Sequence, residues 1–295
     1  MSQLLDPKVL LAIKDLSLAA KTTVDGFMAG IHKSNVKGTG MEFSQYRSYQ
    51  PGDDLRSLDW KMYARSDRYY IRESETETSV SVRFVVDASA SMDHKDGQFT
   101  KMDYARYLAA CLAYLANSQG DSIGLYVFRD GDLFSLPCRK DHQHLSRYFY
   151  QLENIRPAGK FTEPINYKDI FAGTHKRELL SFITDFYEDH GEISELLTSF
   201  VALRHEIMLF HLMGRNELDF DFKSFQAVED LETGDVVAIN AQADLKAYQQ
   251  KLAAFIEAKK VFALNKNIFY RLTCLDEPVD KALRDFINQR NKLKA

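Results

Sequence analysis

The chain has 295 residues, of which 45% are hydrophobic and 27% charged, and its formal net charge at pH 7 is −4. These values are ordinary for a globular protein with a sizeable core, and they give no reason to expect a nucleic-acid partner. Three separated cysteines without metal-ligand spacing predict reduced thiols, and the interrupted apolar stretches predict neither a signal peptide nor a membrane span. We therefore expect a soluble, cytoplasmic protein.

Residues 1–79 are predicted to form an N-terminal extension. Asp6-Pro7 is typical of a helix start, and apolar residues at helical spacing predict an amphipathic helix over the first twenty residues. Four glycines between positions 26 and 40 predict a loop after this helix. A strand with two polar faces is predicted at 69–78, either exposed, at an edge, or covered by another part of the protein.

Residues 80–295 are predicted to form the main domain, because short apolar strands alternate there with helices. The predicted strands are 82–86, 122–128, 133–136, 179–184, 206–213 and 268–274, and the predicted helices include 142–154, 167–174 and 190–204. This alternation predicts an α/β fold with a mostly parallel sheet flanked by helices. Residues 217–240 are interpreted as a small β insertion within it.

The residues after strand 82–86 carry the sharpest chemical pattern. Asp87, Ser89 and Ser91 stand at alternate positions where a buried strand ends and a helix follows. Ligands of open α/β sheets collect at the carboxyl ends of strands, and carboxylate and hydroxyl oxygens are the donors that Mg²⁺ prefers. The alternative is that these side chains only cap the following helix.

Two further oxygen donors are predicted from other loops. Thr162 lies in the loop 159–162, and Asp185 directly follows strand 179–184. We therefore predict a divalent-cation site, with Mg²⁺ as the first choice and Mn²⁺ or Ca²⁺ as alternatives. Its predicted ligands are Asp87, Ser89, Ser91, Thr162 and Asp185.

These positions resemble the metal-ion-dependent adhesion site of von Willebrand factor A and integrin inserted domains. The stretch from Arg47 to Arg65 is similar to the signature of the bacterial "domain of unknown function 58" family, whose members carry a von Willebrand factor A-like domain. The resemblance continues through Lys101–Arg106 and Asp230–Gly234 and covers about residues 40–290.

The resemblance implies a function. Members of that family typically occur beside MoxR-type AAA+ ATPases and are thought to help them assemble or activate client proteins. It implies a non-catalytic adaptor or co-chaperone of such an ATPase, with an unidentified client. By the adhesion-site pattern Ser89, Ser91 and Thr162 would bind the cation directly, and Asp87 and Asp185 directly or through water. The sequence departs from that pattern at Lys160-Phe161, which replaces the glycine usually found before the threonine, and the bulk of Phe161 could misplace Thr162.

The arginines of the 47–65 stretch allow two interpretations. One is an internal ion-pair network, which would need many members because an exposed pair contributes only about 0–1 kcal/mol. The other is a docking surface for the ATPase, formed by Arg47, Arg56 and Arg65, since arginine binds carboxylates in a bidentate manner. Phosphate or RNA binding is disfavoured because the excess of positive charge is small.

A Mg²⁺-dependent, haloacid-dehalogenase-like phosphatase is the main alternative function. Such an enzyme also places an aspartate after its first strand, but it has a second aspartate two positions later as the acid/base group, and here that position is Ser89. His94 is interpreted as a solvated side chain. The chain has no Gly-rich nucleotide-binding motif, so we expect it not to be an enzyme and assign ATP hydrolysis to its partner.

Overall fold

The computed structural model describes residues 15–35, 45–51, 53–55, 58–73, 79–162, 177–220, 227–238 and 241–294. The predicted helix 167–174 and most of the predicted N-terminal helix lie outside the described residues. The chain divides into two compact units, one formed by Met1–Phe27 with Ser79–Ala295 and the other by Met28–Thr78.

The described elements are eight helices and twelve strands. The strands are β1 (Gln45–Ser48), β2 (Tyr70–Glu73), β3 (Ser81–Asp87), β4 (Lys95–Asp96), β5 (Phe99–Thr100), β6 (Ser122–Arg129), β7 (Asp132–Arg139), β8 (Leu179–Thr184), β9 (Glu206–Met213), β10 (Ala227–Glu229), β11 (Val236–Ala238) and β12 (Phe269–Cys274). The helices are α1 (Leu16–Asn35), α2 (Trp60–Ser66), α3 (Lys101–Ser118), α4 (His142–Asn154), α5 (Glu192–Ala202), α6 (Arg215–Asp219), α7 (Ala241–Asn265) and α8 (Asp280–Lys294). A 3₁₀ turn covers Ala90–Asp93.

The larger unit contains a six-stranded sheet in the order β12-β9-β8-β3-β6-β7. All neighbours pair in parallel except β6 and β7, which form an antiparallel hairpin. The predicted α/β fold class with a mostly parallel sheet is confirmed. The chain leaves β3 towards β6 on one side and returns to β8 on the other, so β3 lies at a topological switch point, where loops diverge and ligands collect.

Helix α3 crosses the sheet and is almost entirely buried. Thr100 and Asp103 form a reciprocal capping box that begins the helix. Cys111 is buried within α3 as predicted, and its burial raises the pKa of the thiol to about 12. A core on the sheet includes Phe182 of β8 and Phe200 of α5. None of the helices in the described ranges combines the length and apolar character needed to cross a bilayer.

The prediction of a loop that begins near Gly26 is wrong for residues 26–35, which are helical. Helix α1 continues through Gly26 and Gly30 to Asn35. A buried face that includes Val24 and Phe27 stabilises this helix, and the burial outweighs the cost of about 1 kcal/mol for each glycine.

The β insertion predicted at 217–240 is partly corrected. It begins with helix α6, in which Leu218 lies, so the alternation of Leu218 and Phe220 does not reflect a strand. An antiparallel hairpin of β10 and β11 follows.

Two buried ion pairs connect distant parts of the larger unit. Arg83 of β3 donates two hydrogen bonds to Glu178, at 2.7 Å and 2.8 Å. Arg290 of α8 pairs with the fully buried Asp121, which follows α3 and also accepts the N–H of Val80 at 3.0 Å. Because each charge has its partner, these buried groups do not stand uncompensated in the core.

The smaller unit contains the antiparallel pair of β1 and β2 and helix α2, which lies between these strands in the chain. Asp59 caps α2 by accepting hydrogen bonds from the N–H groups of Lys61 and Met62. Tyr63 stacks on Tyr69 with ring centroids 4.5 Å apart.

Candidate functional site

The site begins where β3 ends, at the fully buried Asp87. Its Oδ1 accepts a hydrogen bond from the N–H of Ser89 at 2.9 Å, and its Oδ2 accepts one from the hydroxyl of Thr184 at 2.6 Å. Burial and the nearby charge of Asp185 raise the pKa of Asp87 to about 7. Both carboxylate oxygens of Asp87 accept hydrogen bonds from the protein, so Asp87 stabilises the conformation of the loop that carries Ser89.

The serine hydroxyls of the loop after β3 lie close to the carboxylate of Asp185, which follows β8. The Oγ atoms of Ser89 and Ser91 lie 3.0 Å apart, and Ser91 donates a hydrogen bond to Asp185 Oδ1 at 3.3 Å. These residues lie close together because β3 and β8 are adjacent parallel strands that end at the same edge of the sheet. The structure therefore brings together four predicted residues: Asp87, Ser89, Ser91 and Asp185.

Thr162 contacts a different loop, the turn between β6 and β7. Its side chain is exposed, and its hydroxyl lies beside the turn at Gly131, 3.2 Å from where a Cβ on that glycine would stand. The preceding Phe161 is buried, with its ring 5.4 Å from that of Phe128. The loop itself is close to the site, because the N–H of Ala90 donates to the carbonyl of Gly159.

Lys101 is a buried cation of the site that the sequence reasoning missed. Its ammonium donates to Asp185 Oδ2 at 3.0 Å and to Glu217 Oε1 at 2.8 Å. Burial opposes ionisation of Asp185, but the charge of Lys101 and its hydrogen bonds hold the pKa of Asp185 below its ordinary value. The segment Lys101–Arg106 stood out in the sequence only by resemblance, and this contact gives its first residue a physical role.

The neighbouring His94 is not solvated as interpreted from the sequence. It is half-buried, and its Nε2 lies 3.1 Å from Asn216 Oδ1 and 3.8 Å from Glu217 Oε2. Because Glu217 also binds Lys101, His94 belongs to the outer part of the same polar network.

Glu232 is a second residue that the sequence reasoning missed. Burial and the charge of Asp185 raise the pKa of Glu232 to about 7, although the nearby hydroxyls of Ser91 and Ser89 act to lower it. Its Oε1 is shielded from solvent, and none of the described residues donates a hydrogen bond to it. A third carboxylate therefore faces the two serine hydroxyls from the β10–β11 hairpin.

The chemistry of these donors fits a hard divalent cation. Two hydroxyls and the carboxylate of Asp185 converge. The carboxylate of Glu232 is close enough for the serines and Asp185 to influence its pKa, and its buried Oε1 lacks a partner among the described residues. Oxygen ligands of this kind suit Mg²⁺, which usually keeps several waters. Within the described ranges no three His, Cys, Asp or Glu side chains are close enough to hold a metal alone, so the serine hydroxyls and water would have to contribute.

The predicted arginine surface is described only in part. Arg65 is exposed in the last turn of α2. Arg47 pairs with Ile71 through the backbone of β1 and β2. The side chain of Arg47 and the whole of Arg56 lie outside the described residues.

Comparison with known proteins gives a family match and several relatives. Residues 45–257 match the family model "Protein of unknown function DUF58". Uncharacterized proteins of Mycobacterium tuberculosis and Mycobacterium bovis are 27% identical over 234 residues, which is 78% of this chain and 73% of theirs.

Solved structures with a similar chain trace include two from Bacteroides. BatB from Bacteroides thetaiotaomicron matches with a TM-score of 0.45 and 18% identity, over 72% of this chain and 100% of that one. An aerotolerance-related membrane protein from Bacteroides fragilis matches with a TM-score of 0.47 and 20% identity, over the same shares. The SpRpn10 VWA domain matches with a TM-score of 0.38 and 11% identity, over 72% of this chain and 95% of that one.

Proposed function

The chain belongs to the family described as protein of unknown function DUF58, and from this premise we propose that it is a non-catalytic interaction module with a divalent-cation site. The observation that carries the proposal is the cluster of Ser89, Ser91 and Asp185 at the ends of β3 and β8, with Asp87 behind it. Mg²⁺ is the proposed cation. Thr162 is also a proposed ligand, but its exposed side chain would have to move towards the cation.

The residues support binding better than hydrolysis. Two positions after Asp87, where a phosphatase of the alternative type has its acid/base aspartate, Ser89 bonds to Ser91. His94 is directed to Asn216, so it is not in place to activate a nucleophile at the cluster.

When bound, the cation would supply an electrophilic position for a carboxylate oxygen of a partner. The chain's own residues would orient that position: Ser89 and Ser91 by their hydroxyls, and Asp87 by holding the loop. Lys101 would keep Asp185 ionised, because it already binds the other oxygen of that carboxylate. We propose that the partners are a MoxR-type AAA+ ATPase, as the family resemblance implies, and a client protein with an exposed Asp or Glu.

Cation binding is tested by titrating the full chain with Mg²⁺ and Mn²⁺ in a calorimeter. We expect saturable binding to the wild type and its loss in the double variant Ser89→Ala/Ser91→Ala. Ser199→Ala is the control, because Ser199 is half-buried like Ser91 and, among the described residues, its hydroxyl donates to a helix carbonyl at 3.0 Å. Equal binding by all three proteins would contradict a cation site at the cluster.

The partner is tested separately with a purified MoxR-type ATPase from the same organism. Surface-immobilised wild type should retain the ATPase in Mg²⁺ and release it in EDTA, whereas the double serine variant should not retain it in either. Retention that is independent of Mg²⁺ would place the contact elsewhere on the chain. No retention at all would remove the ATPase from the proposal without affecting cation binding.

A further inference from the structure

The carboxylate of Glu232 has no role in the site as predicted from the sequence. Glu232 stands at the tip of the β10–β11 hairpin, and the tip is fixed by a tight turn. Asp230 Oδ1 accepts hydrogen bonds from the N–H groups of Glu232 at 2.8 Å and Thr233 at 3.2 Å. Gly234 closes the turn with a φ of +75°, a conformation that glycine adopts readily. The backbone of Glu232 is therefore held in one position.

The same turn is attached to the loop that carries Asp185. The hydroxyl of Tyr187 donates to Asp230 Oδ2 at 2.6 Å, and the N–H of Tyr187 donates to Asp185 Oδ1 at 3.2 Å. One residue thus binds a predicted ligand on one side and the hairpin tip on the other. The position of Glu232 relative to Asp185 is set by this double contact.

The hydroxyls of Ser91 and Ser89 lie near enough to the carboxylate of Glu232 to lower its pKa, whereas nearby side chains of the hairpin face solvent. Oε1 of Glu232 is buried and lacks a donor among the described residues. By contrast Leu231 is 46% exposed, Val236 67% and Val237 59%. A buried carboxylate oxygen without a donor is costly, and a coordinated cation would relieve that cost.

We propose that Glu232 is an intramolecular ligand of the cation and occupies the coordination position that a partner's Asp or Glu would take. The inference rests on the proposed cation site. The site is then closed by the chain's own carboxylate, and a partner gains access only by displacing the hairpin tip. The exposed Leu231, Val236 and Val237 give that partner an apolar surface on the same hairpin.

The test uses Mn²⁺ as the probe on the full chain, with two readouts. The first is the Kd for Mn²⁺, and the second is the water-proton relaxivity of the complex, which rises with the number of waters on the ion. We expect Glu232→Gln to raise the Kd about tenfold or more, since even outer partners of metal ligands contribute about 10–100-fold. Relaxivity should also rise, because a water replaces the carboxylate.

Two further variants separate ligation from charge and from misfolding. Glu229→Gln is the matched control, because Glu229 is an exposed glutamate of the same hairpin and loses the same charge. It should leave both readouts unchanged. Glu232→Asp keeps the charge but withdraws the carboxylate by one methylene, so it should raise relaxivity as Glu232→Gln does. Added acetate should lower the relaxivity of Glu232→Gln and leave that of the wild type unchanged.

The outcomes distinguish the inference from the proposed function. If the wild type binds no Mn²⁺, the proposed site and the inference both fail. If the wild type binds Mn²⁺, the double serine variant does not, and Glu232→Gln matches the wild type in Kd and relaxivity, then the site stands and the inference is wrong. An equal effect of acetate on the wild type and Glu232→Gln would likewise overturn it.

Discussion

Replacing Lys101 by methionine should destabilise the protein strongly, because its ammonium compensates two carboxylates. Lys101 and Asp185 have side chains only 5% and 2% exposed, and the hydrogen bonds to Asp185 and Glu217 measure 3.0 Å and 2.8 Å. Hydrogen bonds to charged groups contribute about 1.5–3 kcal/mol each, and removing one member of a buried ion pair costs about 3–5 kcal/mol. We therefore expect Lys101→Met to lower the free energy of unfolding by about 3–5 kcal/mol.

Urea denaturation in EDTA and again in millimolar Mg²⁺ measures this loss. Lys260→Met is the control, because Lys260 and Glu257 form an exposed pair at 3.2 Å that should contribute less than about 1 kcal/mol. If a cation binds at the cluster, Mg²⁺ should recover part of the loss, since it replaces the missing positive charge next to Asp185. A loss in EDTA no larger than that of the control would refute the reasoning that Lys101 neutralises buried carboxylates.

Three other predictions follow from the described geometry. Burial lowers the pKa of His211 from 6.5 to about 4. The neutral side chain therefore contributes fully to the free energy of unfolding above pH 6.5, and this contribution is lost as the pH falls towards 4. The wild type should therefore lose about 3 kcal/mol more than His211→Gln over that interval in pH-dependent denaturation. Gly159 has a φ of +62°, and a Cβ there would lie 2.1 Å from Asp130 Oδ1, whereas Gly97 has a φ of +67° and open space around it. Gly159→Ala should thus lower the thermal midpoint clearly more than Gly97→Ala, by a clash of about 1–3 kcal/mol, and equal midpoints would contradict the close approach of Asp130 to Gly159. Arg65 is exposed, so Arg65→Ala should change stability by less than about 0.5 kcal/mol and weaken retention of the ATPase if the arginines dock it, whereas lost stability with full retention would favour the internal network.

The sheet could be predicted largely from local pattern. Strands β8 and β9 begin and end at the predicted residues because each is an apolar run whose ends are marked by charged or glycine positions. The convergence of Ser91 and Asp185 was also predictable, since the carboxyl ends of parallel strands meet at one edge.

The rest of the site depends on contacts that no local pattern contains. Lys101 meets Asp185 across 84 residues of sequence, and at the start of a helix its charge is equally compatible with a solvated position. Glu232 lies on the β10–β11 hairpin, whose position depends on the hydrogen bond between Tyr187 and Asp230. Glycines in α1 misled the prediction because that helix buries one face against residues distant in sequence, such as Tyr107 and Arg284, and this burial stabilises it.

The buried pair of Arg290 and Asp121 has a consequence for synthesis on the ribosome. Asp121 follows α3 and is fully buried, but its guanidinium partner is made 169 residues later. During translation the carboxylate lacks its charged partner until α8 has emerged, and burying it before then is costly. We therefore expect the end of the sheet near Asp121 to close later than the pairing of β3 with β6. Nascent chains that stop short of residue 290 should remain susceptible to proteases and available to chaperones, even though every strand of the sheet has already been made.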